Sequence, residues 1–249
     1  NYLKNTKIKA GSNLSMGGII ENIKFPFRKT VEDGVPYYIF DSRVDVARFN
    51  SRLELEYKGT NPSELVYDNG GGPSFLPFNF PGENLFNINL CFGMKLEIPF
   101  YMTESGTIDG KDIVFEFSGD DDVWIFVDDE LILDIGGCHR RVGGKINFRT
   151  QMGTVEGSFN PRVAFSKRLL FIDASFTEWT DASAGLYDET IAFYDVNTHF
   201  SSALKNSFTD TTRKHTLTVF YMERAKGASN LYMKFNLLTD QSYNKTSGE

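Results

Sequence analysis

Cysteine is nearly absent from this chain: Cys91 and Cys138 are its only two among 249 residues. Two cysteines form no disulfide framework, and neither stands in a spacing that holds zinc. Whether they pair is left open by the sequence. Tryptophan numbers 2 and histidine 3. There is no His-x-x-x-His pair, no phosphate-cradling glycine loop and no nucleophile elbow, so the enzyme classes carried by those motifs are set aside. Basic residues are outnumbered 26 to 33, a net charge of −7, which excludes a broad nucleic-acid surface. No apolar run approaches the ~18–20 residues of a membrane-spanning helix, and no charged-then-apolar leader opens the chain. Repeats and low-complexity linkers are missing too. The chain is therefore expected to form one domain over residues 1–249. It begins at Asn1 and not at methionine, which reads as a piece excised from a longer protein.

What the chain does have is aromatic side chains: 23 Phe and 11 Tyr, with 22 Gly. That balance favours strands joined by turns over helices. Pro36 to Phe40 and Arg52 to Tyr57 read as strands, and residues 58–85 as loop, with Asn69-Gly70-Gly71-Gly72-Pro73 at its centre. Cys91 to Met102 reads as a bent strand. After the turn at Asp109-Gly110, Ile113, Phe115 and Phe117 alternate with Val114, Glu116 and Ser118, the pattern of a half-buried strand. Val123 to Val127 is apolar throughout and is expected to be buried on both faces. Asp128-Asp129-Glu130 turns the chain into Leu131 to Ile135, and Lys145 to Phe148 suggests a further strand. Residues 149–213 lose the alternation and read as a largely irregular insertion, with short helices at Ala182 to Leu186 and Asn197 to Asn206. Long insertions are often functional. Leu217, Val219 and Tyr221, then Leu231, Met233, Phe235 and Leu237, read as a closing hairpin with its loop at residues 224–230. Strand-turn-strand units without matching helices predict an antiparallel β-sandwich.

Asp120-Asp121-Asp122 is the strongest chemical signal. Three adjacent carboxylates repel one another unless a cation sits among them. Calcium takes about 6–8 oxygen ligands, carboxylates and backbone carbonyls alike. The plain alternative is a solvated acidic loop. Around the closing loop, Glu223 and Asn230 can complete a cation shell, Arg224 can bind a carboxylate or stack on a sugar, and Ser229 can hydrogen-bond. Turn chemistry alone accounts equally for Ser229 and Asn230. His139, beside Gly136-Gly137-Cys138 and Arg140-Arg141, is a third candidate, though a lone histidine next to a turn is more often simply hydrogen-bonded. Asn13-Leu14-Ser15 and Asn244-Lys245-Thr246 match glycosylation sequons, a short pattern that arises often by chance.

The stretch from Asp112 to Val127, containing Phe117-Ser118-Gly119-Asp120-Asp121-Asp122-Val123-Trp124, runs on to Leu133-Asp134-Ile135-Gly136-Gly137-Cys138-His139. This resembles the signature of the fibro-slime domain, found in surface proteins of Gram-positive gut bacteria, rumen bacteria and slime moulds. His215 to Leu237 resembles that family's closing strands. The fibro-slime domain is in turn similar to the protective-antigen-type β-sandwich, which includes calcium-dependent lectins. The resemblance implies that Asp120 and Asp121, joined by a cis peptide, hold Ca2+ and contact sugar hydroxyls; Asp122 of the same acidic run is a further candidate for ligand binding. Glu223 stands where those lectins carry asparagine.

The expectation is thus a non-enzymatic, calcium-dependent adhesin domain of a bacterial cell-surface or pilus protein. It would be extracellular, anchored through parts outside this chain, and would bind a carbohydrate or host glycoprotein beside other domains of the same protein. A structural module of a surface fibre is the runner-up. A glycan-cleaving enzyme using Asp120 and Glu223 is a third reading.

Overall fold

A computed structural model describes residues 2–10, 19–67, 73–81, 92–119, 122–136, 142–156, 158–159, 191–192, 197–223 and 229–240. Thirteen strands are named here: β1 (Tyr2–Ala10), β2 (Ile19–Pro26), β3 (Arg28–Glu32), β4 (Val35–Asp41), β5 (Phe92–Phe100), β6 (Val114–Gly119), β7 (Asp122–Val127), β8 (Glu130–Ile135), β9 (Val142–Asn147), β10 (Met152–Glu156), β11 (Asn197–His199), β12 (His215–Glu223) and β13 (Leu231–Phe235). They form a six-stranded sheet in the order β8-β7-β12-β5-β1-β2 and a seven-stranded sheet in the order β11-β10-β9-β6-β13-β4-β3. The neighbours in both sheets pair antiparallel, so the expected all-β sandwich is what the chain builds.

The alternation of side chains explains why. Along β5, Phe92, Met94, Leu96, Ile98 and Phe100 point inward and the residues between them are half-exposed. Each such burial contributes about 1.5–3 kcal/mol. In the ladder register Tyr221, Val219 and Leu217 lie beside Met94, Leu96 and Ile98, and on the other side beside Val123, Ile125 and Val127. The opposing sheet contributes Phe115, Phe117, Ile146, Met233 and Phe235 to the same core. Rings meet across the layers: Phe117 and Tyr221 have centroids 6.4 Å apart, and Phe100 and Phe148 5.0 Å.

Several local expectations change. Val123–Val127 is buried on one face only; Trp124 and Phe126 are half-exposed, covered in part by cross-strand neighbours such as Phe220. The strand expected from Arg52 begins at Leu55, because the Asn50 side chain accepts the amides of Arg52 and Glu54 and holds residues 50–53 in a turn. The strand expected from Cys91 to Met102 spans Phe92–Phe100. Within 149–213, β10 and β11 extend the seven-stranded sheet and belong to the sandwich itself. Asn197 to Asn206 is not one helix: β11 comes first, and α1 (Ser202–Ser207) starts where the Ser201 hydroxyl accepts the Leu204 amide. Ala182 to Leu186 lies outside the described residues.

The largest correction concerns the end of the chain. β12 and β13 are not a hairpin. β12 lies in one sheet between β7 and β5, and β13 in the other between β6 and β4. β6 and β7 are divided in the same way. Alternation along a strand says which residues face inward but not which sheet the strand joins.

A second element ties the other end of the sandwich. Asp128 and Asp129 both have positive φ, 46° and 67°, and form the two-residue turn between β7 and β8. The Asp128 carboxylate accepts the Thr216 amide (2.9 Å) and lies 2.6 Å from His215 Nδ1. The His215 ring is fully buried between Phe100 and Phe208, and its Nε2 finds no hydrogen-bond partner among the described residues. Burial pushes the Asp128 carboxyl up, but hydrogen bonds from His215 and Thr216, with nearby positive charge, outweigh it and hold the carboxyl below its ordinary value.

A depressed native value means that the unfolded chain binds the proton more readily. Asp128 therefore adds stability above pH ~3.8, and that stability is lost as pH falls through its lower folded value. Replacing Asp128→Asn keeps a residue that tolerates the turn but removes the charge. In urea unfolding followed against pH, the gap between wild type and Asp128→Asn is expected to close below pH ~3.8; a gap independent of pH would contradict the role assigned here. Gly106 supplies a separate test of the fold. Its φ is 67°, and an added Cβ would stand 2.7 Å from Arg149 Cα. Gly106→Ala is expected to cost about 2–4 kcal/mol in urea unfolding, from backbone strain plus overpacking.

Candidate functional site

The paired crossings between the sheets build the candidate site. Gly119 and Leu231 are ladder partners in one sheet, and Asp122 and Met222 in the other. The connections β6–β7 and β12–β13 therefore leave the same end of the sandwich from adjacent strands. Asp120, Asp121 and Arg224 fall on these connections, outside the described residues, as does the peptide between Asp120 and Asp121. His139, Cys91 and Cys138 also lie outside them.

Gly119 is where the first connection begins. A Cβ there would stand 2.7 Å from the Phe117 ring and 2.8 Å from the Asn230 carbonyl oxygen. Only glycine lets the two connections approach this closely. Asp122 opens β7 and is 3 % exposed, while Glu223 closes β12 at 1 %. Both carboxylates thus sit at the roots of the connections.

Glu223 is approached from inside. The Tyr221 hydroxyl donates to its Oε2 (3.2 Å) and shares a 3.0 Å contact with Ser229 Oγ. Ser229 Oγ donates to the Phe75 carbonyl (2.7 Å), and the Phe75 amide donates to the Ser229 carbonyl (2.5 Å). Ser229 is fully buried and binds the segment around Phe75 to the crossing. Its sequence reading as a surface ligand gives way to this internal role, because a small hydroxyl satisfies buried backbone more cheaply than solvent-seeking side chains. Asn230 is half-buried beside Gly119. Among the described residues no group of three or more His, Cys, Asp or Glu stands together. Asp122, which follows Asp120 and Asp121 in sequence, and Glu223 and Asn230, on either side of residues 224–229, are oxygen-bearing side chains described at this end.

Two further features were missed in the sequence. The first is a buried polar network beside the crossing. The Asp45 carboxylate accepts from Arg28 Nε, from the Tyr57 hydroxyl (2.7 Å) and from the Asp41 amide (2.8 Å). Burial, followed by the hydrogen bond to Asp45, pushes the Tyr57 hydroxyl far above its ordinary value. Asp41 takes a two-point contact from Arg43 Nε (2.8 Å) and Nη2 (2.6 Å). Ser42 then joins this network to Leu231, accepting the Leu231 amide at Oγ (3.0 Å) and donating its own amide to the Leu231 carbonyl (2.9 Å). The Asp-Ser-Arg-x-Asp spacing at 41–45 was the available signal.

The second is a cleft of about 340 Å³ at the opposite end, near His215. Its walls are the turn at Thr103–Gly106, the turn carrying Arg149 and Gln151, Lys205 on α1 and Thr209 just after it; Met102, Phe148 and Phe208 also line it. These residues come from segments far apart in sequence, so no linear motif announces them.

Comparison with known proteins corrects the origin expected from the sequence. The chain is similar to proteins of Dictyostelium discoideum. It is 30% identical to Protein psiE over 183 residues, 67% of this chain and 32% of psiE. It is 38% identical to Protein psiB over 135 residues, 53% of this chain and 21% of psiB. With Protein psiH it shares 31% over 123 residues, 48% of this chain and 14% of psiH. The chain thus spans a third or less of these curated relatives. No protein-family model and no solved structure matches it. These relatives are eukaryotic, which overturns the assignment to bacterial fibro-slime proteins. The calcium-dependent adhesin of a Gram-positive surface or pilus falls with it, as does the bacterial location. Among the described residues no helix is long and apolar enough to cross a membrane.

Proposed function

We propose that this chain is a non-catalytic binding module within a longer protein, and that it works from the end where the two sheet crossings emerge. One observation carries the reading. Gly119–Leu231 and Asp122–Met222 are paired neighbours in opposite sheets, so the two connections, whose sequence holds Asp120, Asp121 and residues 224–228, start and finish on adjacent strand ends.

A divalent cation, calcium, is the cofactor that suits this end. Asp120 and Asp121 offer adjacent carboxylates, and Asp122, Glu223 and Asn230 stand at their roots as further oxygen ligands. Bound there, calcium would offset the repulsion of the acidic run and hold the two connections together. A catalytic pairing of Asp120 with Glu223 is disfavoured by the burial of Glu223 and its hydrogen bond from Tyr221.

Thermal unfolding with calcium and with a chelator tests the proposal. A ligand that binds only the folded chain raises stability by RT ln(1 + [L]/Kd), about 2.7 kcal/mol at a hundredfold excess. A calcium-dependent rise in Tm is expected in the wild type and is expected to vanish in Asp121→Ala. An equal rise in both, or none in either, would remove calcium from this end.

A further inference from the structure

The cleft near His215 stands at the far end of β12 from Glu223, since His215 pairs with Phe100 and Glu223 with Phe92. Nothing in the proposed function uses it. At about 340 Å³ it falls within the ~300–1,000 Å³ of small-molecule sites. Two cations line it, Arg149 and Lys205, against one carboxylate, Glu104.

The cations are placed by the fold. Asn147 Oδ1 accepts the amides of Arg149 (3.0 Å) and Thr150 (3.1 Å), fixing the turn. Gly106 packs directly against the Arg149 backbone. Arg149 Nε donates to Asp112 (2.6 Å), which orients the guanidinium and leaves its terminal nitrogens without a partner among the described residues. Lys205 sits on α1, which Leu204 and Phe208 anchor in the core, and its ammonium has no ionic or hydrogen-bond partner among the described residues.

Gln151 also lines the cleft. It holds φ at 55° in the turn between β9 and β10, and its side-chain amide makes no hydrogen bond among the described residues.

We propose that this cleft binds a small organic carboxylate with an apolar body. The terminal nitrogens of Arg149 and the ammonium of Lys205 take the carboxylate, in the fork geometry that suits arginine. Gln151 supplies a further hydrogen bond. The apolar part of the ligand lies over Met102, Phe148 and Phe208.

The test uses the full chain and three probes: benzoate, benzyl alcohol and acetate. Binding is read by titration while backbone amide resonances are followed. Benzoate is expected to move the amides of residues 103–106, 149–151 and 205–209 and to saturate. Benzyl alcohol, lacking the charge, and acetate, lacking the apolar body, are each expected to bind about tenfold more weakly or worse. Lys205→Ala is expected to weaken benzoate by about tenfold, and Lys205→Arg to retain it. Lys205 lies on the surface of α1, so an unchanged Tm in both variants shows that the fold is intact. Benzoate binding that is absent, or equal in wild type and Lys205→Ala, overturns the proposal. Acetate binding as tightly as benzoate overturns the ligand class. The calcium test reads the other end of the molecule, so either proposal can fail alone.

Discussion

The constraint on which this molecule depends is that its chain changes sheets twice at one end, between the same pairs of neighbours. β6 and β13 lie side by side in the seven-stranded sheet, and β7 and β12 side by side in the six-stranded sheet. Each crossing fixes the register of the other, because a shift in one ladder would have to be matched in the second. The corner is narrow. Gly119 passes beside the Asn230 carbonyl without a Cβ, and Ser229 satisfies its buried hydroxyl on Phe75. Buried Asp122 and Glu223 remain at this corner because the strands that carry them end there.

Away from the corner the sandwich is held by rings and by one polar tie. The large number of phenylalanines is used where the two sheets face each other, and edge-on contacts such as Phe25–Phe40 and Phe100–Phe148 recur through the core. At the far end Asp128 serves three purposes at once. It accepts the positive φ of a tight turn, it receives the Thr216 amide, and it faces a buried histidine. α1 packs on that histidine through Phe208 and so acquires a fixed place despite its six residues. The cleft lies beside this docking, walled by two turns and by α1.

Much was legible in the sequence wherever period-2 alternation was clean. Phe115 and Phe117, Leu217 to Tyr221, and Leu231 to Phe235 were read with the correct faces inward. The two-residue turn at Asp128-Asp129 was likewise readable, from acidic turn residues between apolar runs. Partner choice was not. Nothing local distinguishes a hairpin from a crossing between sheets when the intervening loop has about seven residues, and β12 and β13, which local signals join, belong to different sheets. Ser229, a candidate ligand residue with turn chemistry as the alternative, is instead claimed by a remote segment: its hydroxyl donates to the Phe75 carbonyl.

By itself, then, the sequence determined the class of structure: an aromatic-rich, antiparallel all-β chain whose acidic run falls between two strands. Alternation and turn chemistry are local, and each residue carries its own share of that information. The tertiary structure decided which strands share a sheet, that the strands carrying Asp122 and Glu223 are neighbours at one end, and that Arg149, Gln151 and Lys205 line one cleft at the other. Those facts depend on contacts between residues tens of positions apart, whose free energy belongs to the pair and is written in neither segment alone.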